Sequence, residues 1–177
     1  IDTAAMNGHF NVVQWLHENR IEGCTNHGVD CAVKQGRMDM VKWFWENTDK
    51  RCAINSIDHA AKIGHFGMLK WLHDRGERCT KAAMDWAAEN GHIDVVRWLF
   101  LNRIEGCSIN AAKFAVKNGH LHVVQWLYEN EMVRDRHALL LCAIEHGHLH
   151  IVQWLCKITE IDDIVVLLKY VCAYEQV

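Results

Sequence analysis

Proline is missing from all 177 positions, so no turn can be set by a ring-fixed φ and the chain must bend at glycines and polar caps. No apolar run approaches the length needed to cross a bilayer, and the first residues carry no signal-peptide pattern. The chain therefore reads as soluble and intracellular. An excess of positive charge is also lacking. The net charge of −3 argues against electrostatic binding to nucleic acid or to a membrane surface. Neither a glycine-rich phosphate loop nor a Gly-x-Ser-x-Gly elbow occurs, and no catalytic constellation stands out. The expectation is a protein that is not an enzyme and needs no cofactor. No Gly/Ser-rich or charged linker interrupts the sequence, so residues 1–177 are expected to form one elongated domain.

What the chain has in abundance is repetition. A Gly-His pair, once Gly-Arg, falls at Gly8, Gly36, Gly64, Gly91, Gly119 and Gly147. A tryptophan follows seven residues after each: Trp15, Trp43, Trp71, Trp98, Trp126 and Trp154. The period is 28 residues, with one step of 27 between Gly64 and Gly91. Repeats of this length mark stacked arrays. The one-residue deletion in the third copy is expected in the turn around Asp74, Arg75 and Gly76, since turns absorb length changes better than helices do.

Each copy has the same physical grammar. In the fourth, Met84, Ala87 and Ala88 are spaced i, i+3, i+4 and share one face of a first helix. Gly91 follows, suited to the left-handed position just past a helix end. Val95, Val96, Trp98 and Leu99 then form the apolar stripe of a second helix. Helices of about ten residues are marginal alone, so stability must come from stacking one copy on the next. The six indoles are expected to line a continuous apolar seam, each burying on the order of 200 Å².

The run from Ala87 to Leu99 reads Ala-Ala-x-x-Gly-His-x-x-Val-Val-x-x-Leu, and it resembles the central signature of the ankyrin repeat. The match recurs through about residue 156. Two departures stand beside it. The period is about five residues shorter than the family's usual one, and the Thr-Pro-Leu-His opening is absent. The resemblance implies an all-α fold, an ankyrin-like α-solenoid of six stacked helix–turn–helix copies, with the family's β-hairpin fingers reduced to plain turns. The chain begins inside a copy, as an excerpt of a longer array would. Residues 161–177 lack both Gly-His and Trp and are expected to form a degenerate terminal cap, since Val171–Glu175 echoes Leu141–Glu145.

Cysteine and histidine invite chemical readings. Cys24, Cys52, Cys79 and Cys107 fill one column of successive copies, about 10 Å apart by helix packing and too far for disulfides. No Cys-x-x-Cys pair exists for zinc, so these are expected to be small buried residues at turns. Thr25, Thr80 and Ser108 follow three of them and are expected to cap the next helix. The Gly-His histidines are expected to pack the turns and to hydrogen-bond between adjacent copies. His-x-His occurs twice, at His120, His122 and His148, His150, and leaves a weak metal site open as a minor alternative.

What remains is surface. On the first helices, one row holding Asp30, Asp58, Asp85, Lys113 and Leu141 is expected to point away from the apolar stripe. Four residues on come Lys34, Lys62, Glu89, Lys117 and Glu145, giving Asp-to-Lys pairs at i, i+4 in two copies. Next along lie Gln35, Ile63, Asn90, Asn118 and His146. In ankyrin-like stacks this helix lines the concave side, so the resemblance implies a partner protein of unknown identity. Its contacts would be Lys34, Gln35, Lys62, Ile63, Asp85, Glu89, Asn90, Lys113, Lys117 and Asn118. The rival is a structural spacer within a larger protein whose activity lies elsewhere.

Overall fold

A computed structural model describes residues 1–21, 23–52, 55–133 and 135–158. The expected cap at 161–177 lies outside the described residues. Helices pair along the chain: α1 (Asp2–Met6) with α2 (Phe10–Asn19), and α3 (Asn26–Lys34) with α4 (Met38–Asn47). Then come α5 (Ser56–Lys62) with α6 (Phe66–Asp74), and α7 (Lys81–Glu89) with α8 (Ile93–Asn102). The last pairs are α9 (Ala111–Lys117) with α10 (Leu121–Glu129), and α11 (Arg136–Glu145) with α12 (Leu149–Ile158). Among the described residues there is no strand, so the connections between pairs are plain loops as the short period implied.

The glycine turn works as the sequence requires. In the fourth copy Gly91 takes φ 76°. Its N–H donates to the Ala88 carbonyl, and the His92 N–H reaches back to that of Ala87 at 2.9 Å. These bonds satisfy carbonyls that the helix end would otherwise leave open. A Cβ at Gly91 would also lie 2.7 Å from the His120 ring, so the next copy's imidazole occupies the space that glycine vacates. In the shortened third copy, α6 gives way to a turn at Arg75 and Gly76, where the deletion was expected.

Packing divides the helices into two layers. Odd-numbered first helices lie against one another from α1 through α11, and their backbones approach closely. Ala32, Ala60, Ala61, Ala87, Ala88, Ala115 and Ala143, all buried, make that approach possible. The second helices contact one another far less. Their core side is Val and Leu: Val41, Leu69, Leu72, Val95, Val96, Leu99, Val123, Val124 and Leu127 are buried.

The tryptophans depart from expectation. None is fully buried, and Trp15 is 55% exposed. Nor do the six column indoles stack on one another. Each of the later five instead meets a ring two residues past the preceding copy's tryptophan. Trp43 meets His17 at 5.1 Å, Trp71 meets Trp45 at 5.2 Å, and Trp98 meets His73 at 4.9 Å. Trp126 meets Phe100 at 5.2 Å and Trp154 meets Tyr128 at 5.5 Å. All five are edge-to-face, the geometry favoured by ring quadrupoles. The seam exists, but as a mixed aromatic ladder flanking the core rather than an indole spine within it.

Candidate functional site

The first-helix layer is fixed by bonds that cross from copy to copy. Thr80 caps α7, its Oγ1 accepting from the Ala82 N–H at 3.1 Å. The same residue donates its backbone N–H to Asp58 Oδ1 at 2.8 Å and its hydroxyl to Asp58 Oδ2 at 2.7 Å. Asp2 holds Thr25 in the same way, and Asp85 accepts from the Ser108 N–H at 2.7 Å. Asp2 and Asp58 thus anchor the residue that opens the next copy's first helix, and Asp85 anchors the turn leading into it. Burial pushes the Asp58 carboxyl above its usual value, an effect the Thr80 N–H and O–H partly offset. Capping at Thr25 and Thr80 agrees with expectation, while Ser108 sits one turn before α9 and caps a short turn through the Asn110 N–H.

These clamps correct the reading of Asp85 as a partner contact. Asp85 is 8% exposed and Asp58 is 0% exposed; both are turned into the stack rather than away from it. Asp58 engages Thr80 and so does not form the Asp-to-Lys helix pair with Lys62. The reason is geometric: the side of a first helix that looks polar on its own faces the start of the next copy. A cap donor there needs a negative acceptor.

Histidines brace the other end of α5, α7 and α9, and Arg37 does so for α1 by donating to the Gly8 carbonyl at 2.8 Å. His92 donates from Nε2 to the Lys62 carbonyl at 3.2 Å, and His148 donates to that of Lys117 at 2.9 Å. His122 and His150 reach one residue pair further, to the carbonyls of Gly91 and Gly119 at 3.1 and 3.0 Å. Copy-to-copy bonding is therefore what His92 and His148 do, while His65 accepts from the Met68 N–H and caps its own helix. It also removes the basis for the minor metal alternative at His120, His122, His148 and His150. Three of those rings commit Nε2 to a carbonyl, and among the described residues no group of three His, Cys, Asp or Glu converges. Desolvation and the neighbouring His122 hold the His120 imidazole below its ordinary value.

The cysteine column is free of disulfides and packed at the turns. Cys79 is buried, and Cys24, Cys52 and Cys107 are half-buried. Burial pushes the Cys52 thiol up to about 12 and that of Cys79 up to about 11, so neither is a thiolate nucleophile at neutral pH.

Of the expected contact residues, Lys34, Gln35, Lys62, Ile63, Asn90, Lys113, Lys117 and Asn118 are exposed, and Glu89 is half-buried. Ile63 is 40% exposed. Gln35 reaches back to the Ala5 carbonyl, while Asn90 and Asn118 cap their own helices at Trp86 and Phe114. A residue that sequence reasoning passed over stands among them. Trp86, the one tryptophan on a first helix, is partly exposed on α7. His59 of α5 meets it edge-to-face at 5.5 Å, and Lys62 Nζ lies 5.3 Å from its ring centroid. Its break from the regular tryptophan spacing was the signal.

With two helical layers and a left-handed glycine turn between the helices of every described copy, the chain matches the family model for ankyrin repeats (many copies) over residues 1–44 and 84–127. The chain belongs to the ankyrin-repeat family. No curated protein matches it. Ankyrin repeats are generally protein–protein interaction modules and are typically non-enzymatic, so a protein partner is the class of ligand this family membership supports. Among the described residues, no helix is long and apolar enough to cross a membrane.

Proposed function

We propose that this ankyrin-repeat chain is a rigid scaffold that holds a partner protein along the face of its first helices. Residues 1–177 act as one continuous repeat domain in this reading. The observation that carries it is the contrast between a frame that recurs and a surface that does not. Glycine turns and alanine contacts recur from copy to copy, while the solvent-facing positions change: Lys34, Lys62, half-buried Glu89 and Lys117 in one row, Gln35, Ile63, Asn90 and Asn118 in the next. Close approach of the first helices, against wider separation of the second, bends such a stack toward the first-helix side. That side then surrounds a ligand instead of touching it at one point. Ile63 offers an exposed apolar contact amid polar neighbours, the composition of an interface centre inside a polar rim.

The triple change Lys62→Glu, Ile63→Asp and Lys117→Glu tests the assignment. Binding to a partner recovered with the unaltered chain should be lost, with helical circular dichroism and melting unchanged. A control on the other layer, Lys42→Glu with Lys70→Glu, should leave binding intact. If the first set is harmless and the second abolishes capture, the binding face lies on the second helices.

A further inference from the structure

Charge is distributed unequally between the two layers. On α3, α5, α7 and α9 the exposed charged residues are Lys34, Lys62, Lys81, Lys113 and Lys117, with no exposed carboxylate among them. The acids of these helices are drawn inward. Asp58 and Asp85 are spent on the clamps, and Asp30 and Glu89 are partly covered. On α4, α6 and α8, exposed Asp39, Glu46, Asp74 and Asp94 stand among Lys42, Lys70 and Arg97. A chain of net charge −3 therefore presents one predominantly basic face, on which Asp30 and Glu89 are the half-buried carboxylates. The bias ends at α11, where Arg136 and Glu145 are both exposed.

An aromatic lies in the middle of that face. Trp86 sits beside Lys62 and His59, on the helix next to the one that Ile63 caps. The backbones that carry two of these lysines are fixed, since His92 and His148 hold the carbonyls of Lys62 and Lys117. Desolvated aromatic anchors supply much of the energy at protein interfaces, and surrounding charges set approach rate and choice of partner. Nucleic acid is the poorer match. The four helices bring no arginine, the side chain suited to bidentate phosphate contact.

We propose that the face formed by α3, α5, α7 and α9 takes an acidic peptide segment of a partner protein, its carboxylates on Lys34, Lys62, Lys113 and Lys117 and one apolar side chain against Trp86 and Ile63. The proposal rests on the first helices being the binding side and specifies what that side selects.

The test is selection of displayed random peptides, about twelve residues long, on the purified chain, followed by fluorescence anisotropy of the enriched sequences. Enriched peptides should be net acidic with an aromatic or large aliphatic residue. They should weaken by about tenfold or more between about 50 and about 200 mM salt, and by a similar factor in Lys62→Glu. Trp86→Ala should weaken them further. Should that variant fail to fold, the exposed Lys34→Glu and Lys113→Glu changes give the same reading. Neutral or basic peptides that still lose binding in Ile63→Asp overturn the acidic-segment proposal and leave the face assignment standing. Peptides indifferent to every first-helix change overturn both. Failure to enrich any peptide, or tighter binding of a labelled single-stranded oligonucleotide, overturns the acidic-segment proposal.

Discussion

First and second helices both recur in every copy, yet they solve the stacking problem with different side chains. The first-helix layer brings backbones together with alanine and, at several junctions, ties one copy to the next through an aspartate and an imidazole. The second-helix layer keeps its backbones apart and spans the gap with edge-to-face rings. Small residues with specific polar bonds define a position to within a hydrogen bond. Large rings fill space and tolerate exchange, which is why His17, Trp45, His73, Phe100 and Tyr128 can all serve in one column. The tightly specified layer is accordingly the one on which variable surface residues can be held at fixed points.

Substitutions can break or sharpen that contrast. The largest effect is expected for Asp58→Ala, which removes the two bonds that hold the Thr80 N–H and hydroxyl and leaves a gap where a fully buried carboxylate stood. A loss of about 3 kcal/mol is expected from urea unfolding. A loss no larger than that of a surface substitution would mean the carboxylate clamps add nothing beyond packing.

On the ladder side, Trp98→Ala should cost about 2 kcal/mol, less than a fully buried indole because the ring is only partly covered. Trp15→Ala should cost under about 1 kcal/mol, since the described residues place no ring of a preceding copy against it. Equal losses at the two positions in thermal melts would show that the cross-copy ring contact is not what these tryptophans contribute.

A smaller effect separates charge from hydrogen bonding in the clamp. Asp58→Asn keeps an acceptor for the Thr80 N–H and offers an amide to its hydroxyl. The native carboxyl titrates above its usual value of 3.8 because it is buried. Its protonation therefore favours the folded state. That contribution is complete below the unfolded value and is lost as pH rises through the folded one. Stability of the native chain relative to Asp58→Asn should fall across this acid range and then level off. A native chain that gains on the variant as pH rises would mean that the Thr80 bonds outweigh burial.

The least disruptive probe is thiol labelling at pH 8. Cys52 and Cys79, with values near 12 and 11, should be among the last thiols to react in the folded chain. Unfolding should expose both at once. Early labelling of Cys79 would mean that the turns open independently of the layers.

Much of this was legible along the chain because it is local. Gly91 followed by His92, and Thr80 before α7, specify a turn and a cap through their immediate neighbours alone. What is not local is illegible along the chain, because the residue's partner belongs to the next copy. Asp58 and Asp85 satisfy every rule for an outward polar row on their own helix, and only the position of Thr80 and Ser108 some two dozen residues later turns them inward. Trp86 was hidden for a related reason, since the regular indole column drew the eye to the second helices.

By itself, the sequence determined the period, the helix–turn–helix unit and the need to stack, because helix periodicity and a left-handed glycine are properties of a few adjacent residues. Only the tertiary structure decided which polar groups are consumed within the stack and which face solvent. That partition depends on what the neighbouring copy places opposite each side chain. It leaves lysines on the first-helix surface after the aspartates have been drawn inside.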